Sequence, residues 1–222
     1  MNKNIKKLFF IDFDDTLFNT KKFKDDLINI FLDNGVNEKQ FKESYYCVDA
    51  ETRPKYSPYM QIKNLEDNFG IDGKKLKIEF DNFIKKSQEY LFDDSIKFLE
   101  EVSKNNNHLV LLSYGECLFQ KMKIDNSGVC NFFDEIIITD DPKIDIILNY
   151  KKINIFDEVF FVEDHPEQVD QATKRLNNIK SNISEKIKII KVSRSDGRYS
   201  RVDTKFNFDR FNSLREVLEK VC

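Results

Sequence analysis

Residues 8–16 read LFFIDFDDT, an apolar run that ends abruptly in a cluster of aspartates. A short run of large apolar residues is typical of a strand buried in a parallel sheet. Side chains alternate along an extended chain, so Asp12 and Asp14 can point to the same side, with Phe13 opposite. Carboxylates directly after a buried strand are unfavourable unless a cation pairs with them, and open α/β sheets bind ligands at this end of their strands. The stretch therefore predicts a cation and ligand site at the end of the first strand.

Two further apolar runs also end in polar residues. Residues 108–115 read HLVLLSYG, with Ser113 after the apolar part, and residues 159–166 read VFFVEDHP, with Glu163 and Asp164. Strand patterns recur near 135–139 and 187–192, and helical patterns lie near 96–102, 115–126, 142–151, 166–178 and 211–220. Such alternation predicts βαβ units, so we expect an α/β protein with a Rossmann-like parallel sheet.

Residues 20–90 have a different pattern, because only helical signals occur there. Thr20 can cap a helix that stops near Gly35, and Ser57-Pro58 is a favourable helix start. Asp72 can begin another helix after the stop signal of Gly70. We therefore predict a core formed by residues 1–19 and 91–222, interrupted by an all-helical insertion over residues 20–90.

The charge of the chain gives little information about partners. The net charge is −3, although residues 180–205 hold eight Lys and Arg against three Asp and Glu. Aromatic residues do not alternate with these basic ones as a base-stacking surface needs, so we interpret the segment as a solvated face and do not expect nucleic acid as a partner.

The cysteines and the N-terminus bear on metal binding and localisation. The four cysteines form no CxxC pair and do not cluster with the two histidines, which argues against zinc and for free thiols in a reducing compartment. The apolar run before Asp12 is too short for a signal peptide, and no segment approaches the about 20 apolar residues of a membrane helix. We expect a cytoplasmic protein with no membrane partner.

The acidic strand ends resemble two motifs of the haloacid dehalogenase-like (HAD) superfamily. The Asp-x-Asp-x-Thr pattern beginning at Asp12 resembles motif I, and the strand ending at Asp164 resembles motif IV, with Glu163 in place of its first acid. The resemblance implies that Asp12 is a nucleophile that forms an aspartyl phosphate. It implies that Asp14 acts as acid towards the leaving oxygen and then as base towards water. Asp15 is at a variable position and receives no role.

Ser113 and the residues after it resemble motif II. The resemblance implies that the Ser113 hydroxyl donates to a phosphoryl oxygen. Backbone amides near Tyr114 and Gly115, at the start of the next helix, are further expected donors to phosphate.

Lys143 follows Asp140-Asp141-Pro142 and resembles motif III, a lysine that screens the charge between nucleophile and phosphoryl group. Lys121 and Lys123 are alternatives for this role.

The expected cofactor is Mg²⁺, which prefers an octahedral shell of oxygens. The resemblance implies that its ligands are Asp12, the backbone carbonyl of Asp14, and Asp164. Glu163 is either outside the direct ligands or linked to the metal through water. We interpret His165 as a polar residue at a helix entry.

The resemblance implies a Mg²⁺-dependent phosphatase acting on a small phosphorylated metabolite, with residues 20–90 as a helical cap. Arg53 and Lys55 are the candidate cap residues for binding an anionic substrate. Asp14 argues against the dehalogenase branch, which lacks this aspartate. Two alternatives remain open: a phosphomutase of the β-phosphoglucomutase type, and a non-catalytic HAD scaffold that binds a partner.

Overall fold

The computed structural model describes residues 5–45, 56–179 and 181–221. Six parallel strands form one sheet in the order β3-β2-β1-β4-β5-β6. The strands are β1 (Lys7–Ile11), β2 (His108–Tyr114), β3 (Glu135–Thr139), β4 (Glu158–Glu163), β5 (Ile187–Val192) and β6 (Arg210–Phe211). The predicted α/β class with a parallel sheet is confirmed.

Helices occupy most of the remaining described chain. The first four are α1 (Thr20–Asp33), α2 (Glu38–Tyr45), α3 (Pro58–Phe69) and α4 (Gly73–Ile84). The others are α5 (Ser95–Val102), α6 (Cys117–Ser127), α7 (Lys143–Leu148), α8 (Pro166–Asn178), α9 (Asn182–Lys186) and α10 (Leu214–Val221). Short 3₁₀ turns lie at Ser87–Tyr90, Lys104–Asn106, Cys130–Phe132 and Ile153–Ile155. No helix in the described ranges is long and apolar enough to cross a membrane.

The alternation of side chains along β1 divides the core into two layers. Phe9 and Ile11 belong to the apolar cluster that also contains residues of the helices between β1 and β2. Leu8 and Phe10 belong to a second cluster with residues of α7 and α8. Both clusters are buried, so β1 is apolar on both faces, as a central parallel strand must be.

Local capping signals account for the ends of the helices between β1 and β2. The side chain of Asn19 accepts a hydrogen bond from the Lys22 amide and begins α1, one residue earlier than the predicted cap at Thr20. Asp72 caps α4 in the same way through the Lys75 amide. Gly70 ends α3 in a left-handed conformation, with φ of 66°.

The chain enters and leaves these four helices through two adjacent linkers. Phe18 and Leu91 form an antiparallel bridge. The Asn19 amide donates to the Tyr90 carbonyl at 2.7 Å, and the Phe92 amide donates to the Leu17 carbonyl at 3.0 Å. The linkers therefore start a few residues after Asp12, next to the end of β1.

The structure differs from the predicted elements at several places, and the short helix α9 is one that was not predicted. Helix α7 ends at Leu148 rather than near residue 151, because a 3₁₀ turn follows it at Ile153–Ile155. The two-residue strand β6 was not predicted, since a strand this short has no detectable periodicity.

Candidate active site

The sheet topology brings the polar strand ends together. Asp12 follows the central strand β1, whose neighbours β2 and β4 carry Ser113 and Glu163 near their carboxyl ends. Asp164 follows β4 directly, and Lys143 is the first residue of α7, after β3. All five side chains are buried. Four of them, Asp12, Lys143, Glu163 and Asp164, line one cavity, because the carboxyl ends of parallel strands share one edge of the sheet.

Lys143 connects two of the acids. Its ammonium group donates to Asp12 Oδ1 and, at 2.7 Å, to Glu163 Oε2. Burial lowers the pKa of Lys143, but the charges of Asp12 and Glu163 raise it more, so the amine is a cation in this site. Burial, with the charge of Glu163, raises the pKa of Asp12 to about 7 against the effect of Lys143.

Glu163 is fully engaged by the protein itself. While Oε2 accepts from Lys143, Oε1 accepts the amides of Asp164 at 3.1 Å and His165 at 2.9 Å. This carboxylate therefore orients Lys143 and the chain after β4. Because both oxygens of Glu163 accept hydrogen bonds from the protein, Glu163 is more suited to a position outside the direct metal ligands than to one among them.

The buried acids form a group suited to a metal ion. Ligand atoms of Asp12, Glu163 and Asp164 all lie within 4.8 Å of one another. No described side chain donates a hydrogen bond to the Asp164 carboxylate, and burial, with the charges of Asp12 and Glu163, raises its pKa well above the usual value. A buried carboxylate without a donor is costly, and oxygen ligands suit Mg²⁺, so the residues present fit this cation.

Asp14 has three hydrogen-bond donors. Lys123 donates to its Oδ1 at 2.5 Å, Thr20 to Oδ1 at 2.7 Å and Gln120 to Oδ2 at 2.7 Å. Burial raises the pKa of Asp14, but the charges of Lys123 and Arg198 lower it more, and the net pKa lies well below the usual range. Asp14 is therefore an ionised, rigidly held carboxylate at the entrance to the insertion.

Ser113 is buried with its hydroxyl unsatisfied. The residue has no exposed surface, and its Oγ has no hydrogen-bond partner. Buried hydroxyls are normally paired, so an unpaired one near the carboxyl end of β2 is consistent with a donor kept for a ligand, although Ser113 lines neither of the two cavities described below.

Several backbone amides after Ser113, which were expected to donate to phosphate, have partners within the protein. The Gly115 amide donates to the Thr139 carbonyl at 3.2 Å. The first-turn amides of Leu118 and Phe119 donate to the side chain of Glu116, at 3.1 Å and 2.7 Å. These donors are already occupied, since Glu116 is itself the anion at the start of α6.

The lack of a side chain at Gly115 makes room for Gln120. Its φ is 152°, and a Cβ at this position would lie 2.6 Å from the Gln120 amide nitrogen. That nitrogen donates hydrogen bonds to Asp14 Oδ2 and to the Tyr114 carbonyl. The absence of a side chain at residue 115 therefore lets Gln120 reach Asp14.

Two cavities meet at Asp14. The first, of about 350 Å³, is lined by Asp12, Lys143 and Asp164 among others. The second, of about 200 Å³, lies towards the helical insertion and is walled by Phe23, Tyr56, Phe119 and other residues. Asp14, Tyr114, Gln120 and Arg198 line both cavities.

The alternatives for the other predicted site residues are now resolved in part. Lys121 is exposed and pairs with Asp125 at 2.9 Å, whereas Lys123 pairs with Asp14. Only Lys143 of the three contacts Asp12. His165 accepts the Glu167 amide at 3.2 Å as the cap of α8, as a helix-entry residue does. The predicted substrate residues Arg53 and Lys55 lie outside the described residues.

The solvated-face interpretation of residues 180–205 is wrong for three basic residues. Lys191 and Arg194 are buried, and Arg198 reaches the site, where it donates to the buried carboxylate of Asp15. Neither Arg198 nor Asp15 was expected there. The only sequence signal was an excess of basic residues without periodicity, which does not reveal a long-range ion pair.

Comparisons with known proteins agree with this geometry. No protein-family model and no curated protein matches the sequence. A structure from Burkholderia xenovorans, described as a haloacid dehalogenase-like hydrolase, has a TM-score of 0.72 and 15% identity, covering 97% of this chain and 96% of that one. L-2-haloacid dehalogenase from Xanthobacter autotrophicus has a TM-score of 0.59 and 16% identity, covering 98% of both chains. A HAD-hydrolase from Bacillus subtilis bound to magnesium has a TM-score of 0.53 and 14% identity, covering 99% of both.

These matches extend over nearly the whole chain. This protein therefore has the fold of the haloacid dehalogenase-like hydrolases, as the strand-end motifs predicted.

Proposed function

We propose that this protein is a Mg²⁺-dependent phosphatase that hydrolyses a small phosphorylated metabolite through an aspartyl phosphate. The observation that carries the proposal is Asp14, a half-buried carboxylate two residues after Asp12 that lines both cavities. Release of a halide needs no proton, whereas an alkoxide leaving group does, so a second acid–base carboxylate beside the nucleophile favours phosphoester hydrolysis.

In this proposal Asp12 attacks phosphorus through the oxygen that Lys143 does not hold. Lys143 neutralises charge that builds up between the carboxylate and the phosphoryl oxygens, and Glu163 keeps its ammonium group in place. The unpaired Ser113 hydroxyl donates to one phosphoryl oxygen.

Asp14 is ionised in the free site, so in this proposal it takes up a proton as the anionic substrate binds beside it, and it then gives that proton to the leaving oxygen. In the second step Asp14 takes a proton from the water that attacks the aspartyl phosphate, and Asp12 and inorganic phosphate are released.

Asp12, Asp164 and the carbonyl oxygen of Asp14 would hold the cation. When bound, Mg²⁺ supplies positive charge beside the phosphoryl oxygens.

We further propose that residues 20–90 act as the cap of this enzyme. The support is the second cavity, whose wall combines Phe23 and Tyr56 from the insertion with Tyr114 and Phe119 from the core. A leaving group enclosed there would contact both parts of the chain and be shielded from bulk water.

The test is release of inorganic phosphate from a panel of phosphorylated metabolites, with Mg²⁺ and with EDTA. We expect turnover that requires Mg²⁺ and that falls at least about a thousandfold in Asp12→Asn, because an amide cannot form the acyl phosphate. The Asp12→Asn protein also controls for contaminating phosphatases.

Two outcomes would contradict the proposal. Near-normal phosphate release by Asp12→Asn would show that Asp12 is not the nucleophile. Chloride release from L-2-chloropropionate, with no phosphate release from any member of the panel, would assign the chain to dehalogenation.

A further inference from the structure

Arg198 is held in the site by one side of its guanidinium group. Its Nε donates to Asp15 Oδ2, and its guanidinium lies 5.3 Å from the centre of the Tyr199 ring. No described residue forms a hydrogen bond with its two terminal nitrogens, and 39% of the side chain is exposed. An arginine fixed through Nε presents the rest of its planar fork to a ligand.

Asp15 has unfavourable features that its contact with Arg198 offsets only in part. The residue is 1% exposed, its φ is 58°, and its Oδ1 has no hydrogen-bond partner. A left-handed backbone is unfavourable for a residue other than glycine, and burial of the carboxylate adds to the cost. Such strain concentrates at functional sites. Here the strained residue, Asp15, holds Arg198 in its position.

The location of Arg198 indicates which part of a substrate it would meet. It lines the cavity of about 350 Å³ and also the cavity of about 200 Å³ towards the insertion. Asp12, Lys143 and Asp164 line only the former. In the proposed reaction the phosphoryl group faces those three residues, so the leaving group points past Asp14 into the smaller cavity, with Arg198 beside it.

The charges around the smaller cavity favour an anion. Its lining includes the cations Lys24, Lys123 and Arg198 and the acids Asp14 and Glu116. Asp14 is paired with Lys123, and Glu116 accepts two backbone amides at the start of α6. The acids are thus compensated, while the terminal nitrogens of Arg198 still have donors to offer.

We propose that Arg198, positioned by Asp15, binds a second anionic group on the leaving group of the substrate, a carboxylate or a phosphate. The substrate is then a small phosphomonoester that carries this second anion. This inference rests on the proposed phosphatase function and specifies its substrate class.

The test compares probes that share a three-carbon leaving group. Glycerol 3-phosphate lacks a second anion, 3-phosphoglycerate has a carboxylate, and propane-1,3-diol bisphosphate has a second phosphate. We expect kcat/KM to be about tenfold or more higher for at least one anionic probe than for glycerol 3-phosphate. Arg198→Gln should reduce that ratio to near one, and Arg201→Gln, an exposed arginine of the same loop, should keep the wild-type ratio.

Asp15→Asn tests the positioning role. Asparagine tolerates the left-handed backbone but cannot hold the guanidinium by charge. We expect a higher KM for the preferred anionic probe, little change in kcat, and a thermal midpoint close to that of wild type. A fall in kcat with unchanged KM for this probe would contradict the positioning role.

A binding measurement separates this inference from the proposed function. If no probe releases phosphate, the phosphatase proposal fails, and calorimetric titration of the intact protein with the same probes and Mg²⁺ decides the role of Arg198. Tighter binding of an anionic probe, lost in Arg198→Gln, supports the inference. Equal affinities for the three probes, no binding, or an unchanged preference in Arg198→Gln overturns it.

Discussion

The hydroxyl group of Ser113 is a polar group that the surrounding protein does not stabilise. Its hydroxyl is buried and has no partner. A buried hydroxyl of this kind contributes nothing to offset its loss of hydration. The residue is therefore expected to serve binding rather than stability.

We expect Ser113→Ala to separate these two properties. The variant should lower kcat/KM for phosphate release by about tenfold to a hundredfold, because one donor to the phosphoryl oxygens is lost. The free energy of unfolding should be unchanged or raised by up to about 1 kcal/mol. Urea titration and steady-state kinetics measure the two effects, and a clear loss of stability would show that the hydroxyl has a structural partner.

The acids at the end of β4 are expected to differ in role. Asp164→Asn should raise the Mg²⁺ concentration for half-maximal activity by about tenfold or more, since a carboxylate ligand is lost. Glu163→Gln should mainly lower kcat, because Lys143 loses its orienting partner. The exposed Glu219→Gln is the control in these Mg²⁺ titrations. If Glu163→Gln has the larger effect on the Mg²⁺ requirement, the assignment of ligands is reversed.

At the scale of elements, Asp94 links parts of the chain that are far apart in sequence. Its carboxylate accepts two hydrogen bonds from Arg194, at 2.9 Å and 2.8 Å, and the amide of Leu214 at the start of α10. Arg194 also donates to the Thr16 carbonyl at 2.8 Å. This cluster joins the loop after β1, the start of α5, the end of β5 and α10.

We expect Asp94→Asn to lower the free energy of unfolding by about 2 kcal/mol at pH 7, because a charge-assisted pair is lost. Burial raises the pKa of Asp94, but hydrogen bonds and the charge of Arg194 lower it more, so the net pKa is below its ordinary value of 3.8. The ionised form is thus favoured in the folded state, and its contribution is present above the unfolded-state pKa.

The contribution of Asp94 is then lost as the pH falls below 3.8 through the folded-state pKa. Urea unfolding of both proteins from pH 7 to pH 3 measures this difference. The exposed neighbour variant Asp93→Asn should match wild type at pH 7. If the difference in free energy of unfolding between wild type and Asp94→Asn grows as the pH is lowered, this explanation is contradicted.

For the whole molecule, one apolar cluster continues from the sheet into the helical insertion. Phe18 packs against Phe23, with ring centres 5.2 Å apart, and Phe23 lies 4.7 Å from Phe83 and 6.1 Å from Phe119. Phe9 and Ile11 of β1 belong to the same cluster. The helices between β1 and β2 and the sheet therefore share buried surface, and separating them would expose aromatic side chains.

We expect Phe23→Ala to destabilise the insertion and the core together. Phe23 is 2% exposed, and its truncation should lower the free energy of unfolding by about 3 kcal/mol in a single transition. Ile78→Ala, at an exposed position in α4, should change it by less than about 0.5 kcal/mol. Hydrogen exchange of α4 and β4 measures both parts, and loss of protection in α4 alone would show two independent units.

The order of strands β1 to β5, the order of the helices other than α9, and the residues at the ends of β1, β2 and β4 could be predicted from the sequence. This was possible because apolar periodicity and helix caps are local, and because parallel strands end at one edge of the sheet. The meeting of Asp12, Lys143 and Asp164 around one cavity follows from that topology.

The partner of each polar group could not be predicted and became known from the folded structure. Lys143 forms ion pairs with Asp12 and Glu163, and Lys123 forms one with Asp14. The backbone amides of Gly115 and Leu118 donate hydrogen bonds to Thr139 and Glu116. Arg198 also pairs with Asp15, across 183 positions of sequence. Such pairs depend on how loops cross the surface of the sheet, and loops have no periodicity from which their course can be predicted.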